Sequence, residues 1–90
     1  MSKEQENTST LFEEITDQEK HLLLLNDDVN TFDTVINALV EVCHHTPEQA
    51  ETCALITHYN GKCSVKSGSY DVLKPYHQGL LDRHLSAKIQ

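Results

Sequence analysis

The four leucines at 22–25 run straight into Asn26-Asp27-Asp28, and this junction constrains the fold more than any other stretch. A continuous apolar run bounded by turn-forming residues reads as a strand, and one without polar alternation needs covering on both faces. In a chain of 90 residues the covering layers must come from the same small domain. The strand is expected over Lys20 to Asn26, with a loop from Asp27 to Thr31. An amide and two carboxylates would then stand on a rigid edge, just ahead of a helix.

The helix follows from spacing. Phe32, Val35, Ile36, Leu39, Val40 and Cys43 recur at three- and four-residue intervals, one face of an amphipathic helix. It ends near His44-His45, whose imidazoles suit the negative end of the helix dipole when protonated. Thr46-Pro47-Glu48-Gln49 signals a second start, with Thr46 as cap, Pro47 at the first helical position and Gln49 closing a capping box. Its expected buried face is Ala50, Cys53, Ala54 and Thr57, broadened by Leu55 and Ile56, and Asn60-Gly61 ends it. Lys62 to Lys66 alternates as a strand, and Ser67-Gly68-Ser69 turns the chain. A third helix is expected over about Val72 to His84, presenting Leu73, Tyr76, His77, Leu80, Leu81 and His84 on one side. Its start is held back to Asp71 or Val72, because Pro75 costs little only within a first turn. Ser86 to Gln90 closes as a short strand with Ala87 and Ile89 inward. The order β-α-α-β-α-β predicts an α+β domain, a small three-stranded antiparallel sheet packed on three helices.

Ahead of the first strand the apolar content thins out. Met1 to Glu19 holds only Leu11, Phe12 and Ile15 as sizeable apolar residues after the initiator, and six acidic side chains against one lysine. That is too little apolar surface to offset the entropy of ordering it. Residues 1–19 therefore read as a flexible acidic extension before a core at 20–90, and most of the net charge of −7 belongs to the extension. Few clustered Lys or Arg argues against nucleic acid as a partner. No stretch approaches a membrane span, and the N-terminus lacks a signal-peptide pattern. Cys43, Cys53 and Cys63 form no CxxC pair, which fits reduced thiols and a cytoplasmic setting.

Six histidines and three cysteines raise the question of a metal. Tetrahedral sites draw on close ligand pairs, whereas these cysteines stand ten apart and two fall on core faces. There is no G-x-S-x-G elbow, and no thiol has a base and an oxyanion site assigned by spacing. Asp27-Asp28 could serve as acid and base, yet adjacent carboxylates in a turn are ordinary turn residues. The chain reads as non-enzymatic, without metal or cofactor. His58, in the last turn of the second helix, has two readings: a partner for the helix dipole, or a group leaving the buried face where Asn26 and Asp27 leave the strand. An amide, carboxylates and an imidazole beside apolar side chains suit a ligand with a donor-rich head and a greasy body.

Asn26-Asp27-Asp28 after an apolar strand, and His58-x-x-Gly61-Lys62 after a second helix, together resemble the ClpS adaptors over residues 20 to 90. These small proteins deliver N-degron substrates to a Clp AAA+ protease, and their fold is shared by the C-terminal domain of ribosomal L7/L12. The resemblance implies that Asn26, Asp27, Asp28 and His58 surround the free α-amino group of a substrate's first residue. It implies a pocket for that residue's side chain, walled by Leu24, Asn30, Phe32, Val35, Ala54, Thr57 and Leu85, which in the family accepts Leu, Phe, Tyr or Trp. It further implies a ClpA- or ClpC-type unfoldase as partner, engaging the N-terminal extension. Phe32 and Ala54 both stand where many relatives carry Met, the first narrowing and the second widening such a pocket, and Thr57 is more polar than the usual aliphatic residue. Two other classes stay open: an L7/L12-like interaction domain with no amine site, and a small metal-binding protein.

Overall fold

A computed structural model describes residues 18–90, so the expectations for the acidic extension lie almost wholly outside the described residues. The elements are β1 (Lys20–Leu25), α1 (Phe32–Cys43), α2 (Pro47–Asn60), β2 (Lys62–Gly68), α3 (Tyr70–Asp82) and β3 (Ser86–Ile89). The strands form one antiparallel sheet in the order β2-β1-β3, which makes the leucine strand its centre. This is the expected α+β architecture. Leu22 and Leu24 are fully buried in a core with Ala38, Leu39, Ala50, Val65, Leu73, Leu80 and Leu85, and Leu23 is nearly as well covered.

The caps form as their residue types dictate. Thr31 accepts from the Thr34 N–H to start α1, and Thr46 and Gln49 complete a reciprocal capping box at α2. The two histidines after α1 do more than face a dipole. His44 takes the left-handed conformation that closes the helix, and Nε2 of His45 donates to the Val65 carbonyl at 2.8 Å, tying the helical hairpin to β2.

Several boundaries and faces differ from expectation, each for a local reason. β2 continues through Ser67 to Gly68, because Ser67 and Gly68 pair with His21 and Lys20 of the central strand. Ser69 then caps α3, which begins at Tyr70 rather than Asp71 or Val72 and ends at Asp82. Pro75 therefore sits in the second turn and removes the hydrogen bond to the Asp71 carbonyl; both residues are exposed, so water can serve that carbonyl. Leu55 and Ile56 do not broaden the buried face of α2: they are 41% and 38% exposed. The face turned inward is Ala50, Ala54 and Thr57, small residues that let the helix lie close to its neighbours. Leu81 is likewise 40% exposed, and His84 lies beyond α3 with φ 66°. Gly79 marks a tight crossing of α3 on α1, since a Cβ there would come within 2.8 Å of a Val42 methyl.

Candidate functional site

The polar cluster and α2 meet through one glycine. Gly61 ends α2 with φ +91°, its N–H donating to the Thr57 carbonyl, and its own carbonyl accepts from the Asn26 N–H at 2.9 Å. The end of β1 is thereby fastened to the C-terminus of α2, which sets Asn26, Asp27 and Asp28 beside His58. Between them lies a cavity of about 380 Å³. Leu24, Leu25, Asn26, Asp27, Asp28, Asn30, Phe32, Val35, Ala54, Thr57 and His58 line it. Small-molecule pockets start at about this size, with apolar walls and a few convergent polar groups.

Two differences from the expected set stand out. Leu85 does not line the cavity: it is 3% exposed and packs in the core, its N–H bonded to the Leu80 carbonyl at the end of α3. Leu25 does line it. Strand alternation assigns Leu25 to the opposite face from Leu24, but it is the last residue of β1, half-buried and directly followed by the polar residues that line the cavity with it.

The loop at 26–31 is built around Asp27. Its Oδ1 accepts from the backbone N–H groups of Val29 at 2.9 Å and Asn30 at 2.8 Å, and its Oδ2 accepts from Asn30 Nδ2 at 3.1 Å. Burial pushes the Asp27 carboxyl upward, but the hydrogen bonds from Asn30 and Val29 outweigh it and hold the group below the ordinary carboxylate range. The wall from α2 is of another kind. Thr57 is buried with its hydroxyl donating to the Cys53 carbonyl at 2.8 Å, so it leaves no unpaired donor facing the cavity. His58 is exposed, with its ring edge-to-face on Tyr59 at 4.9 Å. Phe32, 39% exposed at the first position of α1, stands in the wall.

The cysteines lie apart from this chemistry. Burial raises the Cys43 thiol to about 11. Burial and the neighbouring Cys53 thiol raise Cys63 to about 12. Both are poor nucleophiles at neutral pH. Among the described residues no cluster of three or more His, Cys, Asp or Glu could hold a metal ion, and no helix is long and apolar enough to cross a membrane.

Known proteins are similar to this chain in sequence and in architecture. The family described as ATP-dependent Clp protease adaptor protein ClpS matches residues 16–88. The ClpS adapter of Treponema denticola is 32% identical in an alignment of 72 positions that covers 78% of this chain and 71% of that protein. The ClpS adapter of Campylobacter jejuni is 45% identical over a shorter stretch of 40 residues, 44% of this chain and 42% of that protein. Agrobacterium tumefaciens ClpS2, solved bound to L-phenylalaninamide, has the same fold, with a TM-score of 0.70 over 83% of this chain and 96% of that one at 15% identity. A family match spanning nearly the whole described chain, on a fold that sets a polar loop beside a helix end, leads to one assignment: the chain belongs to the ClpS family, the adaptors of the ATP-dependent Clp protease.

Proposed function

We propose that this adaptor binds the first residue of a substrate chain in the cavity between β1 and α2 and carries that substrate to a ClpA- or ClpC-type unfoldase. The observation that supports this reading is the mixed lining of one cavity, where the polar groups of Asn26, Asp27, Asp28 and His58 share the wall with the apolar Leu24, Val35 and Ala54. A protonated α-amine offers three donors and no acceptor, so an amide oxygen, carboxylates and a neutral imidazole nitrogen are its natural partners. A bulky first side chain, Leu, Phe, Tyr or Trp, would fill the apolar part. Phenylalaninamide, the ligand of the Agrobacterium relative, joins a free amine to such a side chain. Acetylation would remove the charge and two of the donors.

On this reading residues 20–90 form the recognition core, and the acidic extension at 1–19 is the segment an unfoldase engages during delivery. The test is fluorescence anisotropy of a labelled peptide beginning with Phe, against the same peptide N-acetylated. Binding at micromolar affinity or tighter by the free amine alone is expected. If both peptides bind alike, or neither binds, the first-residue reading fails and an interaction domain without an amine site takes its place.

A further inference from the structure

Asn30 stands in the cavity wall, but its side chain works as a clamp. Nδ2 donates one proton to Asp27 Oδ2 at 3.1 Å and the other to the His84 carbonyl at 2.9 Å, a residue 54 positions further along the chain. With the two backbone N–H groups already on Oδ1, three of the roughly four acceptor positions of the Asp27 carboxylate are taken. The one left belongs to Oδ2. A carboxylate is planar, so fixing three positions fixes the direction of the fourth. The anchor at the far end is firm. His84 sits in the turn between α3 and β3 with φ 66°, its N–H donates to the Leu81 carbonyl, and the next residue, Leu85, is packed in the core.

We propose that Asn30 is a positioning residue, which aims the open acceptor of Asp27 at the substrate amine and makes amine affinity depend on the turn between α3 and β3. This rests on the first-residue reading above and adds a residue that acts through Asp27. The amide is needed for its two donors; an apolar or carboxylate side chain of similar size supplies neither.

A double-mutant cycle tests it, using the free-amine and N-acetylated Phe peptides on the full chain, with thermal unfolding followed in parallel. Asn30→Ala is expected to weaken free-amine binding about tenfold, a charge-assisted bond's worth of alignment. In an Asp27→Ala background the same change should alter affinity less than about twofold. Asn30→Asp removes the donors and places a second carboxylate against the first, which raises the protonation of the pair. Its affinity relative to wild type should therefore fall as pH drops from about 7 to about 5. The other ionisable side chains lining the cavity, Asp28 and His58, are common to both proteins, as is His84 in the turn after α3, so the ratio to wild type isolates the added carboxylate. Equal loss from Asn30→Ala with and without Asp27, loss that merely follows the fall in Tm, or a pH-independent ratio would each overturn the inference. If wild type prefers the free amine and the cycle shows no coupling, only the inference falls. If wild type does not distinguish the peptides, both fall together.

Discussion

The two polar walls of the cavity are built on opposite plans. On the strand side, Asp27 is held by three hydrogen bonds from its own loop and that loop is tied to the turn after α3. On the helix side, His58 projects from the last turn of α2, exposed, its ring edge-to-face on the neighbouring Tyr59. The strand wall is preorganised at the expense of acceptor capacity, whereas the helix wall keeps its capacity and leaves the ordering to the moment of binding. Stability and recognition should therefore be coupled on one side of the cavity and separable on the other.

The largest effect should come from removing what both walls stand on. Leu24 is 1% exposed, lies in the core and lines the cavity, so Leu24→Ala should cost about 2–5 kcal/mol in urea unfolding and abolish peptide binding. Asp27→Ala should break the loop, lowering stability by about 1–2 kcal/mol and free-amine affinity more than tenfold. His58→Ala is the contrasting case: affinity should drop about tenfold while stability moves less than about 0.5 kcal/mol. Matching losses of stability for the two variants would erase the distinction between the walls. Gly61→Ala tests the joint between them. No atom lies within 4 Å of the added Cβ, so the cost is that of the left-handed backbone alone, about 1–2 kcal/mol, with a several-fold loss of affinity as the joint relaxes. The smallest signal is in pH. Asp27 titrates below its ordinary value in the folded state, so its contribution is constant at neutral pH and disappears as pH falls through about 4 and below. Acid unfolding of Asp27→Asn should lack that component. At the alkaline end the raised thiols of Cys43 and Cys63 run the other way, with stability falling as pH rises from about 9 towards their folded values.

Much of this molecule was legible in the sequence because its signals are local. The leucine run, the Thr46-to-Gln49 capping box, the spacing of α1 and the closing Gly61 each act through neighbours within a few residues, and each element formed. The residues around the cavity were legible by resemblance, since ten of those expected there do line it. What local pattern could not fix was partnership. Helical spacing put Leu55 and Ile56 with the buried face of α2, but the close approach of the sheet selected Ala50, Ala54 and Thr57 instead. A proline rule moved the start of α3 later, but the Ser69 cap and the exposure of Pro75 moved it back. The family resemblance implies Leu85 in the pocket wall, yet the turn after α3 buries it in the core. The turn instead reaches the site through the carbonyl of His84, and a backbone carbonyl leaves no mark in a sequence. The chain by itself determined which elements exist and which polar residues end the central strand. Tertiary packing alone decided which lone pairs remain free, because hydrogen bonds between residues 54 apart depend on how the layers close.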